Sequence, residues 1–332
     1  TLSSSSAASD VYKRQCYINS ITQCLNNNRP FIDYLVSESY KDDLNHNCSI
    51  GLLEHFIELS KKIYTQNDSY VHPGKYLYKI KEIAETSPCY SELIGYGQAD
   101  SQEFLQFFLE KIHEQLKYKI EMDISGSVKD DADRLAVLAY KSLHTYFKDS
   151  YSKIVEQFYG IEYSKIFSPS LNNYKSETMT PFSVLTLEIP STVENELSLY
   201  DCLDHYTSIE KNIKHKQNES DMNTYNKQIM FWSLPESFII TIKRYDNHLQ
   251  KKNNIINFPI TNLNMWKYCN GYNNNKYIYD LYAISNHSGG TQGGHYWAYC
   301  KNTDGNWYNF NDESVSPIAC LLYTSDAADE ED

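Results

Sequence analysis

A chain of 332 residues with 41% hydrophobic and 14% aromatic side chains is long enough for one large domain or two lobes. Its formal charge of −13 disfavours a nucleic-acid partner and suits a basic one. No apolar run approaches the ~18 residues that a membrane-crossing helix needs, so no membrane partner is expected either.

Both ends of the chain read as translated sequencing adapter. Residues 5–15, Ser-Ser-Ala-Ala-Ser-Asp-Val-Tyr-Lys-Arg-Gln, are the translation of a common transposase adapter. Residues 320–330 are the translation of the same adapter's reverse complement. Residues 1–15 and 320–332 are therefore expected to be adapter-derived, leaving a gene fragment, 16–319, cut at both ends. That fragment stays acidic, because the two excluded stretches account for only part of the negative charge. Its seven cysteines, at 16, 24, 48, 89, 202, 269 and 300, form no C-x-x-C pair. Neither a thiolate zinc site nor any other metal or cofactor is expected, and a reducing cytoplasmic or nuclear address fits.

In chain order, residues 17–28 predict a helix with Ile18, Ile21, Cys24 and Leu25 on one face. Residues 50–64 predict a second, on Leu52, Leu53, Phe56, Ile57, Leu59 and Ile63. The strongest starts at Asp100, where Phe104, Leu105, Phe108, Leu109, Ile112 and Leu116 recur at three- and four-residue spacing. Asp100 and Glu103 open it with a pattern like a capping box. Residues 121–133 read as a loop and 134–148 as a helix. Strands follow at Ser183–Ile189, Phe238–Tyr245, Tyr277–Ile284, Tyr296–Lys301 and Asn306–Phe310, the last two joined through the turn Thr303-Asp304-Gly305. The polar stretch 207–228 reads as a protruding loop. The fold class is α+β: a helical N-terminal lobe (16–150), an antiparallel-sheet C-terminal lobe (151–319) and a cleft between them.

The chemistry concentrates at the two ends of the fragment. Cys16 stands at the start of a helix, where amide dipoles favour an anion such as a thiolate. His295 follows the glycine-rich stretch Ser288–Gly294, read as a flexible loop, and opens a strand. Asn311 and Asp312 end the next strand, so the hairpin brings one or the other beside His295, where an amide or carboxylate would fix the imidazole. Thiol, imidazole and amide or carboxylate are the parts of a cysteine hydrolase.

At these residues a resemblance is clear. Cys16-Tyr17-Ile18-Asn19-Ser20-Ile21-Thr22-Gln23-Cys24-Leu25 resembles the cysteine box of the ubiquitin-specific proteases. Gly293-Gly294-His295-Tyr296-Trp297-Ala298-Tyr299, with Trp307-Tyr308-Asn309-Phe310-Asn311-Asp312-Glu313-Ser314-Val315, resembles their histidine box. Gln98-Ala99-Asp100-Ser101-Gln102-Glu103-Phe104-Leu105 resembles their Gln/Asp box. Phe158-Tyr159-Gly160, Leu234-Pro235, Ile242-Lys243-Arg244-Tyr245 and Phe258-Pro259 follow in the family's order. The resemblance implies a papain-like thumb–palm–fingers domain, monomeric, whose partners are ubiquitin and ubiquitinated proteins. It implies Cys16 as nucleophile, His295 as general base, Asn311 as the residue orienting it and Asp312 as a second orienter or oxyanion-side residue. Asp100 and Glu103 would meet the arginines of the ubiquitin tail, and Gly293, Gly294 and Tyr296 would line its channel. A ubiquitin-binding scaffold and a protease for a ubiquitin-like modifier are the alternatives.

Two departures from the family stand out. The oxyanion residue, usually Asn, belongs five positions before the nucleophile, where this chain has Val11, so impaired catalysis is expected. The two C-x-x-C pairs that many members carry in the fingers are missing from the stretches around 168–171 and 207–228.

Overall fold

Polar side chains cap some of the N-terminal helices and aromatic rings pack them in the computed structural model, which describes residues 15–45, 48, 51–65, 70–94, 100–168, 174–191, 196–214, 224–246, 248, 250–272, 277–290 and 293–318. Helix α1 (Cys16–Asn26) has Cys16, Tyr17, Ile18, Ser20, Ile21, Thr22 and Leu25 all buried, the pattern of a helix surrounded by protein. Asn28 caps α2 (Arg29–Val36) by accepting from Phe31 N at 3.2 Å, and Pro30 sits in the first turn, where its missing N–H costs nothing. Helices α3 (Gly51–Thr65) and α4 (Gly74–Glu85) follow. Asp100 then caps α5 (Ser101–Leu116), its carboxylate accepting from Gln102 N at 2.7 Å. Phe56 of α3 lies at the centre of a ring cluster, 4.8 Å from Phe108, 5.8 Å from Tyr76 and 6.1 Å from Phe31 between ring centroids.

Next come α6 (Asp131–Phe147), capped by Asp130, and α7 (Lys153–Phe158). The strand-rich stretch runs β1 (Gly160–Phe167), β2 (Tyr174–Phe182), β3 (Val184–Glu188) and β4 (Glu196–Ser198), then helix α8 (Leu199–Thr207). It continues β5 (Glu210–Lys214), β6 (Thr224–Ser233), β7 (Ile239–Lys243), β8 (Ile255–Asn257), β9 (Leu263–Asn264) and β10 (Ile278–Tyr279). The last sheet is β11 (Ala283–Gly290), β12 (Gly293–Lys301), β13 (Trp307–Asn311) and β14 (Ser314–Ile318), paired in that order and antiparallel throughout. Its central turn forms as expected: Asn302 N donates to Asn306 O, Gly305 N donates to Asn302 O, and Gly305 takes φ +82°, which a side chain would disfavour.

The chain folds into two compact units that do not follow chain order. One unites the described residues up to Tyr118 with Ser152–Ile154 and the described residues from Tyr282 onward. Within it α1 packs against β11, β12, β13 and α5. The other holds Lys119–Tyr151 and Val155–Leu281. In that second unit the sheet β2-β1-β6-β5 takes α6 on Ile161, Tyr163 and Met179 through Leu135 and Ala139. A separate core gathers Leu185, Leu187, Leu203, Phe231 and Met265.

Several expectations need correcting. Residues 207–228 are not one loop: β5 and the start of β6 occupy its described parts, and 215–223 lie outside the described residues. Those strands are polar because a sheet packed on one face exposes the other. The loop 121–133 ends early, because Asp130 accepts from Asp133 N at 2.9 Å and starts the helix there. Tyr277–Ile284 holds the two-residue β10 and the first residues of the longer β11 rather than one strand. The later strands are not all antiparallel, since β3 pairs with β7 and β4 with β8 in parallel. Among the described residues no helix is long and apolar enough to cross a membrane.

The ring cluster sets the stability of the helices around α1. Phe108→Ala is expected to cost about 3–5 kcal/mol, while Tyr78→Ala, at a side chain 69% exposed, stays within about 0.5 kcal/mol. Urea unfolding followed by circular dichroism measures both.

Candidate functional site

Strand register explains why one imidazole meets one amide. Ala298 pairs with Phe310 across β12 and β13, so continuing the register by one sets Asn311 opposite Trp297. His295 lies two residues from Trp297 and therefore on the same face, a diagonal neighbour of Asn311. The side chains meet there: His295 Nε2 lies 2.6 Å from Asn311 Oδ1. An amide oxygen only accepts, so Nε2 donates and Nδ1 is left for another partner. Cys16 is also within hydrogen-bonding reach of the imidazole. The hairpin left Asn311 and Asp312 as alternatives, and it is Asn311 that makes the close bond. Asp312 stands further off, with Oδ2 3.9 Å from Nε2.

Cys16 is buried and sits at the first position of α1, with Gln15 before it making no side-chain cap. His295 is partly exposed and stacks on Trp297, ring centroids 6.3 Å apart. Its pKa is raised to about 9, first by the bond with Cys16, then by Asn311 and the Asp312 charge, against the opposing effect of burial. A thiol and an imidazole so held can pass a proton between them and leave a nucleophilic sulfur beside a proton donor.

The glycine-rich stretch is not the flexible loop expected from composition. Gly289 pairs with Gly294 and Gly290 with Gly293, so its described residues are strand, and only 291–292 lie outside them. Glycine is required where the two backbones close on each other. A Cβ on Gly294 would lie 2.2 Å from Ser288 O and 2.4 Å from His287 Nε2. A Cβ on Gly293 would meet nothing within 4 Å, so hairpin packing does not account for that glycine.

The other candidate residues also fall within the first unit. Tyr296 is hydrogen-bonded to Ser101 at the start of α5, feels the charges of Asp100 and Cys16, and is pushed up to about 12, chiefly by burial. Its ring lies 4.4 Å from His287, its partner in β11. Asp100 caps α5 with its carboxylate while remaining exposed, so capping and an outward contact are compatible. Glu103 stands in the first turn of α5, where its charge opposes the ionisation of Tyr17 and Tyr90. Val11, Gln98 and Ala99 lie outside the described residues.

Sequence reading missed three side chains around this site. Ser20 ties α1 to the sheet, with Oγ 2.7 Å from Ser285 Oγ and donating to Trp297 O at 3.1 Å. His287 lies beneath Gly294. Asn19 donates from Nδ2 to Asp312 Oδ1 at 3.3 Å. For Asn19 a signal was present, since it follows Cys16 by three residues and so shares its face of the helix.

The chain matches the family model described as ubiquitin carboxyl-terminal hydrolase over residues 12–325. It is 31% identical over 324 residues to ubiquitin carboxyl-terminal hydrolase 2 of Bos taurus, covering 94% of this chain and 52% of that protein. With ubiquitin carboxyl-terminal hydrolase 8 of Saccharomyces cerevisiae it shares 27% over 327 residues, covering 92% and 65%. Among solved structures it resembles the SAGA DUB module of Ubp8, Sgf11, Sus1 and Sgf73 bound to monoubiquitin, with TM-score 0.71 and 26% identity over 95% of this chain and 66% of the matched one. A second, the module bound to ubiquitin aldehyde, gives TM-score 0.69 at 25% identity over 95% and 66%. The chain thus spans about half the length of its mammalian relative. Matched along nearly all its length and folded like these hydrolases, this chain belongs to the ubiquitin carboxyl-terminal hydrolase family.

Proposed function

We propose that this chain is a deubiquitinating thiol protease, cleaving the isopeptide or peptide bond after the C-terminal glycine of ubiquitin. The observation that carries the reading is the imidazole of His295 held between the Cys16 thiol and Asn311 Oδ1, the latter at 2.6 Å. In this reading the Cys16 thiolate attacks the glycine carbonyl carbon. His295 protonates the departing lysine amine as the C–N bond breaks, leaving a thioester. A water molecule, giving a proton to His295, then hydrolyses the thioester and restores the thiol. Asn311 orients the imidazole and Asp312 favours its charged form. Asp100, Glu103, Gly293, Gly294 and Tyr296 receive the tail.

Family membership supports ubiquitin as partner, as do relatives solved with ubiquitin bound. The expected monomer draws no support from them, since their Ubp8 chain sits with Sgf11, Sus1 and Sgf73. A reducing cytoplasmic or nuclear address is part of the same proposal and rests on the scattered spacing of the seven cysteines. We also propose that residues 1–15 and 320–332 are adapter-derived, and that Val11 in the oxyanion position slows the reaction.

Ubiquitin bearing a C-terminal electrophile tests the reading. The expected adduct forms on Cys16 and is lost in Cys16→Ala. Ubiquitin binding without an adduct would favour the scaffold, and an adduct formed only with a ubiquitin-like probe would move the substrate class. In the same assay Val11→Asn is expected to raise the rate by on the order of 10²–10³.

The glycines divide into two kinds. Gly293→Ala should keep the parent melting temperature and lower kcat/KM, because its methyl enters open space on the proposed tail path. Gly294→Ala should lower the melting temperature itself. Thermal melts beside steady-state kinetics separate them.

The raised pKa of His295 fixes a pH window. Its folded value of about 9 exceeds the ordinary 6.5, so its contribution to stability is complete below about pH 6.5 and is lost as pH rises through about 9. Removing the thiol in Cys16→Ala removes the largest cause of the shift. The imidazole of that variant is then expected to titrate at lower pH, read from its ring-proton resonance, and the melting temperature to vary less over this window.

A further inference from the structure

The helix that carries the thiol also reaches the charge behind the imidazole. Asn19 lies one turn beyond Cys16 in α1, and its Nδ2 donates to Asp312 Oδ1 at 3.3 Å. The other carboxylate oxygen faces His295 Nε2 at 3.9 Å. Asp312 follows the end of β13, in the tight turn where Asn311 pairs with Ser314. It takes φ +48°, a left-handed conformation that Asp accepts more readily than most residues. Its side chain is 41% exposed, so water competes for it, and Asn19 supplies a fixed donor on one of its two oxygens.

We propose that Asn19 is a positioning residue that holds the Asp312 carboxylate toward the His295 imidazole, so that α1 sets both the nucleophile and the charge favouring the protonated base. The proposal deepens the thiol-protease reading and rests on it for its consequence in catalysis. The groups facing the imidazole are the Cys16 thiol from α1 and, from the end of β13, the Asn311 amide and the Asp312 carboxylate. Asn311 is neutral and Cys16 is the reacting group. Asp312 is thus the one standing charge among them, and its distance adjusts how firmly the imidazolium keeps its proton, beside the larger contributions of the Cys16 and Asn311 bonds. Without Asn19 the carboxylate is released to solvent, where its effect on the ring is screened.

This predicts an effect transmitted wholly through Asp312. Direct substitution of Asp312 confounds charge with backbone, because most residues resist φ +48°. Asp312→Gly removes the carboxylate while accepting the backbone, and Asn19→Ala removes the donor from a regular helix.

The test is the rate at which iodoacetate alkylates Cys16 in the full chain, followed by mass spectrometry of the Cys16 peptide from about pH 5 to about pH 10. This anionic reagent needs the thiolate as nucleophile and is attracted by the adjacent imidazolium, so its alkaline limb reports loss of the His295 proton. In Asn19→Ala that limb should move down by about 0.5–1 pH unit, a roughly three- to tenfold change in the protonated fraction at fixed alkaline pH. Asp312→Gly should move it as far, and adding Asn19→Ala to Asp312→Gly should move it no further. With a fluorogenic ubiquitin substrate, kcat should fall in Asn19→Ala while KM holds. Asn19→Leu, close in shape but without a donor, repeats the measurement should the alanine variant fold poorly. An unchanged limb in the single variants, or additive shifts in the double one, would overturn the proposal. If the parent cleaves no ubiquitin substrate, the protease reading fails, and the iodoacetate profile still judges Asn19.

Discussion

One nitrogen has one close acceptor. His295 Nε2 donates to Asn311 Oδ1, and this bond fixes the ring and leaves its other nitrogen free of that amide, with the Cys16 thiol in reach of the imidazole. The surrounding fold serves to make that bond. Antiparallel register puts residues 295, 297 and 311 on one face, and Trp297 supplies a ring against which the imidazole lies nearly parallel, at 16°. A one-residue slip between β12 and β13 would turn Asn311 to the opposite face and leave the imidazole without its anchor. The turn at Asn302–Asn306 fixes the register from the far end of the same hairpin.

The thiol arrives by a different route and needs a different constraint. Helix α1 is buried on nearly every side, so its position follows from packing more than from its own helix propensity. Apolar packing leaves rotation and small slides soft, and directional bonds remove that freedom. Ser20 grips both Ser285 and the backbone of Trp297, while Tyr17 donates to Leu93 O on the other side. Trp297 therefore touches both halves of the site: its ring supports His295 and its carbonyl holds the helix of Cys16. The sheet and helix carrying these groups belong to one compact unit, although Ser20 and Trp297 lie 277 positions apart in the sequence and a second unit is built from the chain between.

How much of this could be read from sequence differs from residue to residue. The α5 pattern was legible because six apolar residues at helical spacing leave few alternatives. The His295–Asn311 pairing was legible because a short turn between alternating strands fixes which strand ends meet. Hairpin geometry alone left Asn311 and Asp312 open, because adjacent residues differ by a face and only the register separates them; it was the family resemblance that implied Asn311. The glycines misled: a run of them reads as a mobile loop, yet here their lack of side chains lets β11 and β12 pair closely. The strands β5 and β6 were hidden by composition, since polarity on an exposed sheet face resembles polarity in a loop. Asn19 sat inside a recognised motif, and its partner Asp312 was recognised too. What no spacing reveals is that a tight turn after β13 brings them within 3.3 Å.

The division of labour between Asn311 and Asp312 follows from what each can do to a proton. A carboxylate in direct contact with a buried imidazolium gains much from the charge pair, and it also pays heavily in lost hydration. Here the contact position goes to a neutral amide, which orients the ring without bringing a second charge into the site. The charge stands at 3.9 Å instead, on a side chain that keeps much of its water. At that distance its influence on the ring is graded and depends on where the carboxylate points. The imidazole nevertheless keeps its proton up to about pH 9, because the thiol, the amide and the carboxylate all favour the charged ring against the cost of burial. No single contact carries the shift. A weak, distance-sensitive contribution is the kind that a remote hydrogen bond such as that of Asn19 can tune, because a small displacement of the carboxylate changes it while the anchor at Asn311 stays fixed.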